Sequence, residues 1–351
     1  MRIGVDARAA AEVPAGRGRY VRELIAAIER SDAPEDLRLY ARQTTDLGED
    51  WEIIGARDPI WHWQAARAAS KECDAFLSTN SYLTAWFTGI PTAVVVYDLV
   101  AFIDGAQAQA RATRIERATI KRAVRRADAF ICISEATRED LVEYFPETEA
   151  RAHVTPLAAD PSFAAKRRAK ALEKPYVLAV GTLEPRKNLV RLVQAWAALP
   201  RTIRDSHLLA LVGPTGWDVE ETLTAAKARP DDVKLLGYVD DEELAELYAG
   251  CACFAYPSLY EGFGLPVLEA MSAGAPVITS NVSSLPEVAG EAALMVDPLD
   301  VGAIADALAE MLTNAETAKR LSAAGRKRAA TFSWDRTARE TLAVMRAIAA
   351  S

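Results

Sequence analysis

The sequence predicts an α/β protein of two domains, each a doubly wound parallel sheet covered by helices. Three observations carry that expectation. The chain has 351 residues, enough for two cores of ordinary domain size. From Tyr176 onward, short apolar runs recur near residues 208, 233, 252 and 277 and alternate with helical patterns, as strand–helix–strand units require. The stretch CACFAYPSLYEGFGLPVLEAMSAGAPVITSNVSSLP, Cys251 to Pro286, compresses strand, loop, helix and strand into one segment.

In the first half, Met1 to Ala7 reads as a strand. Arg17 to Ile28 reads as a helix with Val21, Leu24, Ile25 and Ile28 on one face. The connection carries Gly16 and Gly18, but Val21 stands where a dinucleotide fingerprint needs its third glycine, which argues against a dehydrogenase. Leu37 to Tyr40, Glu52 to Ile54 and Ala75 to Ser78 are expected strands, and Trp61 and Trp63 alternate about His62 like packed strand residues. Pro91 to Asp98 is the strongest strand of this half. Its carboxyl end, Tyr97-Asp98, is where a doubly wound sheet presents functional groups.

Gln107 to Arg126 reads as a long helix, with Arg114, Arg117, Lys121 and Arg125 in one stripe. From Arg111 to Arg126 seven basic residues accompany a single acid, Glu116. Such a stripe is either a solvated face or a dock for an acidic acceptor or an anionic membrane surface. A strand over Ala129 to Ser134, a helix over Glu135 to Phe145 and a strand over Ala152 to Thr155 complete the half. Leu157 to Lys174, with Pro161 and the charge run Lys166-Arg167-Arg168, is the expected linker.

The second half opens on a strand, Tyr176 to Gly181, followed by Gly181-Thr182-Leu183-Glu184-Pro185-Arg186-Lys187-Asn188 and a helix from Leu189. Two adjacent cations at such a turn suit a diphosphate; the plainer alternative is a solvated pair of charges. Asp240 with Glu243 forms a capping box. Cys251 to Tyr256 reads as a buried strand, Pro257 ends it, and Pro266 and Gly274 bound the following helix. Gly262 and Gly264 let backbone N–H groups approach a ligand, and the helix start adds partial positive charge. Glu261 and Glu269 frame this anion site. Carboxylates repel phosphate, so they address hydroxyls, and a nucleotide sugar offers both groups. The alternative is a well-capped helix bearing two solvated glutamates.

The spacing Glu261-x7-Glu269 within EGFGLPVLEAMSAGAPVI resembles the signature of the family-four retaining glycosyltransferases, enzymes of the GT-B fold. That resemblance implies two Rossmann-like domains: 1–165 for the acceptor, 175–333 for the nucleotide sugar, and a helix over 334–351 packing back on the first. It implies a metal-independent, retaining transfer of a sugar from a nucleoside diphosphate, GDP-mannose or similar, to a glycan, lipid-linked or small-molecule acceptor. No other cofactor is implied. Arg186 and Lys187 would neutralise the departing diphosphate. Glu269 would hold the ribose diol, and Glu261 with the backbone of Gly262, Phe263, Gly264 and Leu265 the sugar. Thr182, Gly16 and Gly18 would lie near the donor, and the turn at Tyr238-Val239 against its base. Tyr97 and Asp98 occupy a position where relatives commonly have His-Asp, beside the sugar. Two other readings stand beside this one: a catalytically weakened partner subunit, and another GT-B enzyme such as an epimerase.

Composition narrows the field. The net charge of −8 argues against general nucleic-acid binding. No apolar run reaches the roughly 18 residues of a membrane span, and no charged-then-apolar leader precedes MRIGVDA. The expected location is the cytoplasm, with the basic stripe as the feature that points to the inner membrane face. Cys251 and Cys253 lack a second Cys/His pair, and no Asp-x-Asp follows an apolar strand, so no metal site is expected.

Overall fold

The computed structural model describes residues 1–13, 16–31, 35–48, 50–103, 110–165 and 172–351. The chain divides into two compact units. One is built from the first half through Leu157 together with Ser333–Ser351, the other from Ala158–Phe332. The first unit therefore ends ahead of the expected position 165, and Ser333 belongs to it.

The first unit holds a seven-stranded parallel sheet: β1 (Arg2–Asp6), β2 (Asp36–Ala41), β3 (Trp51–Ile53), β4 (Ala75–Ser78), β5 (Thr92–Val96), β6 (Ala129–Cys132) and β7 (Ala152–Val154). Their order is β3-β2-β1-β4-β5-β6-β7, so the winding reverses beside β1, at the point where such sheets open a crevice beyond their carboxyl ends. β4 and β5 are buried along their whole length, as a sheet covered on both faces demands. The final helix, Trp334–Ala349, starts on the Ser333 cap. It packs on the helix Arg17–Glu29, where Trp334 meets Tyr20 at 6.2 Å between ring centres, and against β4 and β5.

The second unit has six parallel strands: β8 (Tyr176–Val180), β9 (Leu208–Val212), β10 (Val233–Gly237), β11 (Cys253–Tyr256), β12 (Val277–Ser280) and β13 (Ala293–Val296), in the order β10-β9-β8-β11-β12-β13. Its winding reverses beside β8. Leu192, Val193 and Trp196 of the helix Leu189–Ala198 and Ile304 and Leu308 of the helix Val301–Thr313 close one face of this sheet.

Several local expectations are corrected. Trp61 and Trp63 lie on a helix, Ile60–Glu72, not a strand. Its buried positions Trp61, Ala65 and Ala69 recur every fourth residue, whereas Trp63 is 46% exposed; alternation over three residues does not separate the two periods. A short helix, Arg8–Glu12, follows β1 and was not expected. Cys251 precedes β11 and closes the helix Asp241–Gly250, its thiol donating to the Tyr248 carbonyl at 3.2 Å. The basic helix spans Ala110–Ala123, so Arg125 lies beyond its end, and the expected start at Gln107 falls outside the described residues. Within the expected linker, Ser162–Ala165 is helical and Phe163 sits edge-on to Tyr248, fully buried.

Candidate active site

The second unit assembles its charged residues at the carboxyl ends of β8 and β11. After β8, the chain turns through Pro185–Lys187 and enters the next helix at Asn188, which is left-handed with φ 57°. The Asn188 amide donates to the carbonyls of Pro257 (3.0 Å) and Pro298 (2.6 Å), so buried hydrogen bonds hold the strained residue in place. Lys187 and Arg186 are thereby presented to the loop that follows β11.

Both cations close on one carboxylate. Lys187 Nζ donates to Glu261 Oε1 at 2.6 Å and to Tyr256 Oη at 2.6 Å. Arg186 donates through Nη1 to Glu261 Oε2 at 2.6 Å and to the Tyr260 carbonyl at 2.9 Å, and through Nη2 to Glu184 Oε1 at 2.6 Å. Lys187 and Glu261 are both buried. Burial alone would raise the Glu261 carboxyl, but the charges of Arg186 and Lys187 outweigh it and pull its pKa down to about 2. Sequence reasoning assigned these residues to two ends of a ligand; the structure makes them one ion cluster. Tyr256 and Glu184 complete it, and neither was singled out from sequence.

The loop itself is pinned by serines. The Glu261 N–H donates to Ser283 Oγ at 3.0 Å, and the Ser284 hydroxyl lies 2.8 Å from the carbonyl oxygens of Glu261 and Phe263. Gly264 is the residue before the helix Leu265–Ala273, with φ 102° and a Cβ position only 2.7 Å from Leu285 Cδ2, so only glycine fits. Pro266 occupies the first turn and Gly274 closes the helix. Glu269, on the second turn, is 4% exposed and accepts from Tyr248 Oη at 3.2 Å. It is a buried, anchored carboxylate and not a solvated one. Thr182 is exposed at the end of β8. Tyr238 follows β10 with 67% of its surface open, next to the half-buried Val239.

In the first unit, Tyr97 and Asp98 follow β5 as expected. The Tyr97 hydroxyl donates to the Thr79 carbonyl at 2.8 Å, so its single proton is committed to the backbone. Arg17 lies over the Tyr97 ring at 5.0 Å and Tyr20 meets its edge at 5.5 Å. Asp98 Oδ1 accepts from the Val100 N–H at 3.2 Å. Gly16 has φ 53° and open space at its Cβ position. Gly18 is different. A Cβ there would lie 1.7 Å from the Val13 carbonyl oxygen, so its own chain requires the glycine.

Around Tyr97 and Asp98 the first unit has an open pocket of about 340 Å³, which Arg17, Asn80, Tyr82 and Glu116 also line. Glu116 was read only as a charge against the basic stripe. Its signal was visible as the one acid in a run of cations, but the sequence does not say which face of the helix it takes. His62 lies in the interior of the first unit. It is fully buried, with Nδ1 2.8 Å from Thr84 Oγ1, and burial together with the Arg8 charge lowers its pKa to about 4. No cluster of metal-ligating side chains occurs among the described residues.

Both halves of the chain match known families. Residues 16–163 match the family described as Glycosyltransferase Family 4, and residues 162–328 the family described as Glycosyl transferases group 1. The chain is 39% identical to the O-antigen chain mannosyltransferase B of Escherichia coli over 227 residues, which is 62% of this chain and 60% of that protein. It is 35% identical to the MMP alpha-(1->4)-mannosyltransferase of Mycolicibacterium hassiacum over 234 residues, 64% of this chain and 55% of the relative. The matches thus span little more than half the length of these curated relatives. Anabaena HepE, solved in complex with UDP and glucose, superposes with a TM-score of 0.81 at 15% identity, covering 99% of this chain and 100% of that one. Two consecutive family matches over two parallel-sheet units make the chain a member of the glycosyl transferases group 1, with the GT-B fold.

Proposed function

We propose that the protein is a retaining glycosyltransferase that moves a sugar, mannose by analogy with the two named relatives, from a nucleoside diphosphate to a glycan, lipid-linked or small-molecule acceptor. The observation that carries the reading is the Arg186–Lys187–Glu261 cluster. It keeps two cations together, Lys187 buried and Arg186 half-buried, where they act on developing negative charge more strongly than in water. Glu261 holds them in position. As the glycosidic bond breaks, charge grows on the diphosphate, and Arg186 exchanges a carboxylate contact for a phosphate oxygen. The leaving phosphate itself takes the acceptor proton in a front-face reaction, which needs no carboxylate nucleophile. Glu269 fits the ribose diol, and the exposed Tyr238 the nucleotide base.

The cation pair does the work a divalent metal would do, so the transfer is metal-independent. The test is transfer from a panel of nucleoside-diphosphate sugars to mannosides, with and without a chelator, and with the anomeric configuration of the product read by NMR. Loss of activity in chelator that a divalent metal restores, or an inverted product, overturns the mechanism. Absence of both transfer and slow donor hydrolysis favours the partner-subunit reading instead.

No helix among the described residues is long and apolar enough to cross a membrane. Arg114, Arg117, Lys121 and Arg125 are exposed, which supports peripheral contact with an anionic surface on the cytoplasmic side. Loss of liposome binding on reversal of those four charges is the expected result.

A further inference from the structure

The loop after β11 has little of its own to fix it. Gly262 and Gly264 flank Phe263, and glycine restricts its backbone least of all residues. Phe263 is the one side chain between them, and it is 3% exposed. Its ring meets that of Phe332 edge to face, 5.9 Å between centres and 85° between planes. Phe332 is the last residue of the second unit. Over its ring lies the Arg328 guanidinium, 4.9 Å from the centre.

Arg328 reaches the same loop by a second route. It stands in the last turn of the helix Ala315–Ala329 and donates to two carbonyls of the helix Leu285–Ala289, Val288 at 3.0 Å and Glu287 at 2.6 Å. The last carbonyls of a helix find no partner within it, and a helix of five residues does not stand alone in water. Arg328 secures its end. At its start Ser283 and Ser284 bond the backbone of Glu261 and Phe263, and Leu285 fills the space that a side chain on Gly264 would need. Ring contact and helix contact thus converge on Phe263 from one guanidinium.

We propose that Arg328, acting with Phe332, is a positioning residue for sugar transfer: it fixes the backbone of 262–264 against the sugar of the donor. The proposal rests on the glycosyl-transfer reading above and deepens it. The bonds of Arg328 go to the Glu287 and Val288 carbonyls and its face to Phe332. Its loss should therefore spare the nucleoside diphosphate and impair the handling of the sugar.

Phe263-Gly264 is the one Phe-Gly pair in the sequence. NMR of the full chain, with isotope in phenylalanine carbonyls and glycine amides, therefore isolates the Gly264 N–H as a single signal. In Arg328→Ala and in Phe332→Ala that signal is expected to shift and broaden. With GDP-mannose or UDP-glucose, whichever the native chain transfers, kcat/KM should fall by about tenfold. The dissociation constant of GDP or UDP should stay within about twofold of native. Phe332→Tyr, which keeps the ring, should restore signal and turnover. Arg326→Ala is the control for a bond that serves stability alone. It loses contacts to the Ser272 and Ala273 carbonyls, at the far end of the helix Leu265–Ala273. Its thermal midpoint should fall while the Gly264 signal and turnover stay native. An equal fall of turnover in Arg326→Ala, a matching loss of GDP or UDP affinity in Arg328→Ala, or native kcat/KM in that variant overturns the positioning role. Native turnover with an unmoved Gly264 signal overturns that role alone, while a moved signal in a chain that transfers no sugar overturns the transferase reading.

Discussion

The Lys187 ammonium and the Glu261 carboxylate lie 2.6 Å apart, both buried, with Arg186 on the other carboxylate oxygen. A buried pair is strongly destabilised when one partner is removed, because the other charge is left uncompensated. Glu261→Gln is therefore expected to lower stability by about 3–5 kcal/mol, measured by urea unfolding, and to abolish transfer. The double replacement Lys187→Met with Glu261→Leu should recover most of that stability and no activity. Recovery of activity in the double variant would show that the cluster serves the fold alone.

The same carboxylate sets an acid limit. Its folded pKa of about 2 lies below its ordinary value of 4.5. A depressed carboxyl contributes stability that is present above 4.5 and is lost as pH falls from there toward 2. The expected loss is roughly 3 kcal/mol at the acid end. Urea midpoints between pH 6 and 3 check it: in Glu261→Gln the decline over that window should be shallower. An equal slope in both proteins would remove Glu261 from the account.

Arg186→Ala is expected to reduce kcat by about 10²–10³-fold with a smaller change in KM, by comparison with removal of one preorganised donor from an oxyanion site. The arginine has three partners, Glu261, Glu184 and the Tyr260 carbonyl. Its loss should therefore also lower the thermal midpoint by a few degrees, since about 1–2 kcal/mol of hydrogen bonding goes with it. A variant with kcat intact contradicts the role in diphosphate departure.

How much of this was legible in the sequence follows from the range of the interactions. The helix Leu265–Ala273, expected from Pro266, and its Gly274 cap are local, decided by residues within a turn of each other, and were legible. The Asp240 cap on the Glu243 N–H was legible for the same reason. The ion cluster was not, because Lys187 and Glu261 are 74 residues apart and only the parallel pairing of β8 with β11 places their loops together. Glu116 was hidden differently: helical spacing reveals a stripe of cations, but which side faces a cavity depends on the elements packed around it. Trp61 and Trp63 were misread because three residues of alternation are too few to fix a period.

Glu269→Ala is expected to raise the dissociation constant of the matching nucleoside diphosphate by about tenfold or more, since a charge-assisted bond to a diol contributes roughly 1.5–3 kcal/mol in the ground state. Because Tyr248 Oη donates to Glu269, Glu269→Gln is the cleaner comparison. It keeps that bond and loses only the charge. Calorimetric titration distinguishes the two, and an unchanged affinity in both would remove Glu269 from the donor site.

The Tyr97 hydroxyl donates to the Thr79 carbonyl, and the Thr79 hydroxyl in turn donates to the Asp6 carbonyl. Three strand ends, those of β1, β4 and β5, are thus tied by one chain of hydrogen bonds at the edge where the cavity opens. Tyr97→Phe leaves the Thr79 carbonyl without its donor, and an unsatisfied buried acceptor costs about 1–3 kcal/mol. The expected outcome is a loss of stability of that size and a several-fold fall in kcat, with the pH profile of kcat unchanged. No inflection from histidine is expected near 6.5, because His62 is buried with its pKa lowered to about 4 and no histidine lines the cavity. Two results would count against a positioning role for the phenol. One is a fall in kcat beyond a hundredfold with stability intact, which makes Tyr97 a group acting on the substrate. The other is a rate gain in Tyr97→His with a new inflection near neutrality, which makes the natural residue a weakened form of a base the reaction uses.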